Sequence, residues 1–215
     1  MTELTSRLAN APVVPLVQAD SPDTAVAITK ALAAGGLTVI EVVLRTPAAL
    51  DCLQAICEMN DDLIVGAGTV LSASQAIEVL DRGAQFIVSP GLDEGTVRVA
   101  QDADVEIFPG VVTPSEVMKA RNLGVKIAKF FPASIAGGIP ALKAFGSVFG
   151  DMRFMPTGGV SAANLPEFLA LKNVIACGGS WLTPADAIAN GNYEEITRLA
   201  REAVLIATKN EGLTQ

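Results

Sequence analysis

Lys126-Ile127-Ala128-Lys129-Phe130-Phe131-Pro132-Ala133 is an apolar, strand-like run that carries a lysine near its end. Strand side chains alternate between faces, so Val125, Ile127, Lys129 and Phe131 share one side. If that side points into a closed barrel, Lys129 is an amine in apolar surroundings. Desolvation disfavours an ammonium, and an uncharged amine attacks carbonyls to form Schiff bases. Taken alone, the run fits better a lysine that extends its amine to the barrel rim with no chemical role. The rest of the chain reverses that preference.

Outward from this run, apolar β-branched segments alternate with Ala- and Leu-rich stretches. Strands are expected at 12–17, 38–44, 63–67, 85–89, 105–108, 125–130, 153–157 and 174–177. Helices are expected near 22–34, 47–59, 72–82, 93–102, 114–122, 138–148, 162–171 and 193–208. Continuous apolar strands between amphipathic helices predict a parallel sheet covered on its outer face. Ser21-Pro22, Thr46-Pro47, Thr113-Pro114 and Thr183-Pro184 each set a capping hydroxyl before a proline at a helix start. Thr113 with Glu116, and Thr183 with Asp186, have the spacing of capping boxes. No linker or low-complexity tract interrupts the series. The expectation is one α/β domain over 1–215, a (β/α)8 TIM barrel with a short N-terminal helix over 3–10.

Composition narrows the function. The chain has 215 residues, near the short end for such a barrel. Its net charge is −8 and it has no basic run, which argues against nucleic acid and anionic membrane surfaces as partners. No apolar run approaches a membrane span, and Met1-Thr2-Glu3-Leu4 does not open a secretory signal. The chain reads as cytoplasmic. Cys52, Cys57 and Cys177 lack metal spacing and are expected as reduced core thiols, Cys177 close to a glycine loop. There is no histidine. That removes the commonest general base, Ser-His and Cys-His arrangements, and the usual zinc ligands. Acid–base work falls to carboxylates, lysine, tyrosine or water.

In such a barrel the reactive face is the one formed by strand C-termini and the loops after them. Within 38–44, the apolar Ile40, Val42 and Leu44 suit the helix-packed side, so Glu41 and Arg45 project inward. Four residues of strand span roughly 13 Å, so these two charges cannot pair with each other. Glu41 across from Lys129 is a candidate proton shuttle, with a structural ion pair as the alternative. Arg45 presents a planar fork suited to a carboxylate, or caps a loop at the rim. Thr69 follows Gly66-Ala67-Gly68, whose glycines would let a ligand approach the backbone. Thr69 either bonds substrate or caps a helix from Leu71. Thr157-Gly158-Gly159 and Gly178-Gly179-Ser180, after the last two strands, predict an anion site at a helix start.

Six motifs together resemble one family: Glu41-Val42-Val43-Leu44-Arg45-Thr46, Gly66-Ala67-Gly68-Thr69-Val70, Ser89-Pro90-Gly91, Pro109-Gly110-Val111-Val112-Thr113-Pro114, Lys129-Phe130-Phe131-Pro132-Ala133 and Pro156-Thr157-Gly158-Gly159-Val160. It is the bacterial 2-keto-3-deoxy-6-phosphogluconate (KDPG) aldolase / 4-hydroxy-2-oxoglutarate (KHG) aldolase family, of class I. The resemblance covers essentially the whole chain, with no departure at the matching positions. It implies a trimer of (β/α)8 barrels that cleaves the ketodeoxy acid to pyruvate and glyceraldehyde 3-phosphate. It implies that Lys129 forms the Schiff base and Glu41 moves protons, with no metal or other cofactor. It further implies that Arg45, Thr69 and Pro90 hold the pyruvate half, Phe131 lines the pocket, and Thr157 contacts substrate oxygens. Gly158, Gly159, Gly179 and Ser180 would bind phosphate. A phosphosugar-binding barrel of another class, epimerase-like or specific for the galactonate epimer, shares the glycine loops. Metal-dependent epimerases of that kind need histidine ligands.

Overall fold

The computed structural model describes residues 2–59 and 62–211; residues 1, 60–61 and 212–215 of the expected domain lie outside them. The elements run α1 (Glu3–Asn10), β1 (Val13–Val17), α2 (Pro22–Ala34), β2 (Val39–Val43), α3 (Ala49–Cys57), β3 (Ile64–Gly68), α4 (Ala73–Asp81) and β4 (Phe86–Val88). They continue with α5 (Glu94–Asp102), β5 (Glu106–Phe108), β6 (Gly110–Val111), α6 (Pro114–Asn122), β7 (Ile127–Phe130), α7 (Gly138–Val148) and β8 (Arg153–Pro156). Last come α8 (Leu165–Leu169), β9 (Cys177–Gly179), a 3₁₀ turn (Ser180–Leu182), α9 (Ala185–Ala189) and α10 (Tyr193–Glu211).

The strands pair in parallel throughout, in the orders β5-β4-β3-β2-β1-β9 and β6-β7-β8. This is an α/β fold whose parallel strands curve into a half-barrel. The expected strand 105–108 is present as β5, and Pro109, which has no N–H to donate, separates it from β6. Its carbonyl still accepts from the Lys129 N–H at 2.9 Å. At the other seam, isolated bridges join Phe154 to Val174 and Thr157 to Gly178.

Side-chain alternation sorts the core into two layers. Ile40, Val42, Ala128 and Phe130 face the helices. Val14, Val39, Ile64, Phe86, Phe108, Ile127 and Met155 fill the inner side, joined by Leu4 and Leu8 of α1. Those leucines are one helical turn apart, so α1 presents both to the strand N-termini and plugs that end. Each such side chain buried contributes about 1.5–3 kcal/mol.

Helix starts agree with the sequence in part. Ser21 caps α2, and Thr113 with Glu116 forms a capping box on α6. Thr46 and Thr183 do not cap. Helix α3 begins at Ala49 behind Ala48, and Thr46 instead donates to the Ala19 carbonyl at 2.7 Å. Thr183 donates to the Leu16 carbonyl at 2.8 Å, and α9 begins without a side-chain cap. The hydroxyls tie loops to β1 at Leu16 and to the segment just after it at Ala19, long-range partners that local spacing cannot reveal. The last strand also shifts. It runs over Cys177–Gly179 rather than 174–177 because pairing with β1 starts at Val13, after Pro12.

Candidate active site

Lys129 lies on β7 between Gly110 and Met155 of its neighbours, and Glu41 lies on β2 between Leu16 and Gly66. Across the interior, Lys129 Nζ stands 3.4 Å from Glu41 Oε1, with side chains 2% and 0% exposed. Glu41 Oε2 has no hydrogen-bond partner among the described residues. Burying charge with an acceptor unfilled costs stability. The amine also lies 5.3 Å from the centre of the Phe131 ring.

Toward the mouth, Arg45 Nε donates to Thr69 Oγ1 at 3.1 Å. Thr69 has φ 61°, an uncommon conformation for a β-branched residue. It caps no helix, since Ser72 caps α4. The Arg45 side chain is left as a fork at the rim. It borders a cavity of about 410 Å³ lined also by Leu16, Gln18, Val43, Ser180 and Thr183. Gln18 is a mouth residue that the sequence reading passed over; its signal is its place just after β1. Another cavity, about 380 Å³, opens at the strand N-termini beside Val105 and Gly124, and none of the predicted site residues lines it.

Pro90 rests on the strand beside Lys129. A Cβ at Gly110, the ladder partner of Lys129, would stand 2.1 Å from the Pro90 carbonyl oxygen. Thr157 is buried, and a Cβ at Gly178 would stand 2.3 Å from its hydroxyl. Gly158 and Gly159 have φ 91° and 81°, which turn the chain away from β8 as only glycine readily does. The second glycine pair differs from expectation. Gly178 and Gly179 are strand residues of β9, and Ser180 opens a 3₁₀ turn, not an α-helix. Thr157-Gly158-Gly159 and Ser180 nonetheless share one end of the sheet, joined by the Thr157–Gly178 bridge.

Burial pushes Cys177 well up, and burial followed by the Glu58 charge pushes Cys57 up to about 11. Among the described residues no group of three His, Cys, Asp or Glu is placed to hold a metal ion.

A buried amine–carboxylate pair on parallel strands, with an arginine at the mouth, defines a class: an α/β protein equipped for carbonyl chemistry. Comparison gives the family. A model of the KDPG and KHG aldolase family matches residues 4–199. The KHG/KDPG aldolase of Escherichia coli K12 is 48% identical over 203 residues, 94% of this chain and 95% of that one. The 2-dehydro-3-deoxy-phosphogluconate aldolase of Dickeya dadantii is 47% identical, covering 92% of each. Among solved structures, the Legionella pneumophila KDPG aldolase, with pyruvate captured as a covalent carbinolamine, superposes with a TM-score of 0.90 at 40% identity. It covers 94% of this chain and 98% of its own. The Zymomonas mobilis enzyme with 3-phosphoglycerate gives 0.87 at 39%, covering 95% of this chain and 96% of its own. The chain belongs to the KDPG and KHG aldolase family and is an aldolase, a carbon–carbon lyase.

Proposed function

We propose that this chain is a class I aldolase that cleaves KDPG to pyruvate and D-glyceraldehyde 3-phosphate, and also cleaves KHG to pyruvate and glyoxylate. The observation that carries the reading is the buried 3.4 Å approach of Lys129 Nζ to Glu41 Oε1. The Lys129 amine adds to the C2 carbonyl, and loss of water from the carbinolamine leaves a protonated imine. Glu41, through a water, takes the C4 hydroxyl proton. The C3–C4 bond breaks, its electrons pass into the imine to give an enamine, and the aldehyde leaves. Protonation of the enamine at C3 and hydrolysis release pyruvate and restore the amine. The protonated imine is the electron sink, so no step calls for a metal.

In this reading Arg45 and Thr69 hold the substrate carboxylate, with Pro90 and Phe131 against the three-carbon unit. Thr157 contacts substrate oxygens. Gly158, Gly159, Gly179 and Ser180 take the phosphate through backbone N–H groups and a hydroxyl. The two sheets form one closed (β/α)8 barrel and a single domain over 1–215. The run of β5 into β6 through Pro109 and the isolated bridges Phe154–Val174 and Thr157–Gly178 support closure. A cytoplasmic homotrimer follows from the family resemblance. Among the described residues no helix is long and apolar enough to cross a membrane.

Incubation with pyruvate and borohydride, followed by peptide mass spectrometry, tests the assignment. A reduced adduct on Lys129 is expected. An adduct on Lys126 or Lys119, or none, overturns it.

A further inference from the structure

We propose that Gly68 is a positioning residue for Glu41: the missing side chain at 68 sets where the Glu41 carboxyl group stands relative to the Lys129 amine. The inference rests on the reading above, in which Glu41 moves protons. Glu41 pairs with Gly66 across the β2–β3 ladder, and Val43 pairs with Gly68. Gly68 is therefore the diagonal neighbour of Glu41, two residues nearer the mouth on the same face. Side chains in strands lean along the strand, and the Glu41 chain lies over Gly68.

A Cβ placed on Gly68 would stand 2.0 Å from Glu41 Oε1 and 2.7 Å from both Cδ and Cγ. Rotating the carboxylate about its last bond leaves the Cγ and Cδ contacts in place, so the outer half of the side chain must move. Oε1 is the atom 3.4 Å from Lys129 Nζ, and Oε2 is the oxygen without a partner among the described residues. A shift of the carboxyl group therefore alters both its distance to the amine and the direction of its free oxygen. Gly68 does not have the positive φ found at the turn glycines of this chain. Its backbone admits alanine, so the need for glycine comes from the space above it. That space is not left for substrate to approach the backbone, as the sequence implied; the chain's own carboxylate fills it. Gly66 differs, because a Cβ there would meet the Phe86 ring at 2.4 Å, a packing contact of the inner core.

The test compares wild type, Gly68→Ala, Glu41→Gln and the double variant. The readouts are kcat and KM for KDPG cleavage, borohydride trapping with pyruvate, and thermal unfolding. Gly68→Ala is expected to keep the fold and trap pyruvate on Lys129. It lowers kcat by about 100-fold, the scale of a 1 Å misplacement, with little change in KM. In the Glu41→Gln background the same substitution changes kcat by less than about threefold, because residues acting through one group are not additive. Wild-type kcat in Gly68→Ala overturns the proposal, and so does an equal loss in both backgrounds. If Gly68→Ala unfolds the chain, Gly68→Ala/Glu41→Ala restores it by vacating the space; a double variant still unfolded overturns the proposal. Near-normal turnover in Glu41→Gln overturns the proton-moving role itself, a separate result from failure of Gly68→Ala.

Discussion

Replacing Lys129 with methionine removes an ammonium group from beside a carboxylate that is 0% exposed. Methionine has nearly the length of lysine, so the packing change is small. The electrostatic change is not. Oε1 loses its partner at 3.4 Å, and Oε2 already has none among the described residues. At an effective dielectric constant of about 20, unit charges at this separation attract by about 5 kcal/mol. Mutational experience agrees on scale, since stranding one member of a buried pair costs about 3–5 kcal/mol. For a protein of this size, 1 kcal/mol moves Tm by roughly 2–4 °C, so Lys129→Met should melt about 6–20 °C below wild type. Replacing Glu41 with methionine as well removes the stranded charge. The double variant should recover wild-type stability or exceed it by about 1–4 kcal/mol, since apolar pairs often replace buried ion pairs without loss. Thermal unfolding followed by far-UV circular dichroism, at one protein concentration and neutral pH, reads both. A Lys129→Met melting point equal to wild type, or a double variant no better than the single, refutes the reasoning.

Exhaustive chelation should leave turnover unchanged, because the electron sink is the Lys129 imine; inactivation by chelator with rescue by a divalent cation would end the Schiff-base mechanism. KDPG should be preferred over KHG in kcat/KM. The two differ only at the end away from Lys129, and one charge-assisted hydrogen bond to phosphate contributes on the order of 1.5–3 kcal/mol, or about tenfold and more; a ratio of one or below argues against phosphate recognition by the glycine segments. Glu116 reports on acid stability. Burial pushes its carboxyl up, but the N–H groups of Val112 and Thr113 and the Thr113 hydroxyl together hold it below the ordinary value. A depressed folded value contributes stability above the unfolded carboxylate value and loses it as pH falls through the folded one. Glu116→Gln should therefore be less stable than wild type at neutral pH, with the gap closing below about pH 4.3; a urea-midpoint difference that stays constant into acid contradicts this.

The order of strands and helices, the capping box at Thr113 and the inward face of Glu41 and Lys129 were all legible in the sequence. They depend on periodicity and on side chains a few residues apart, which the chain carries locally. The absence of histidine by itself narrows the chemistry. Tertiary structure decided the rest. Thr46 and Thr183 have the local form of helix caps, yet their hydroxyls bond carbonyls on and beyond β1, far away in the chain. Gly178 and Gly179 read as a loop but pair with β1 as a strand, because Val13 begins a ladder there. The 3.4 Å meeting of Lys129 and Glu41 depends on β2 and β7 facing each other across the interior. Gly66 and Gly68 look alike in sequence, and only packing separates them: one glycine admits a phenyl ring, the other a carboxylate. A period of two residues assigns a face, but distance across the interior is set by the curvature of the whole sheet.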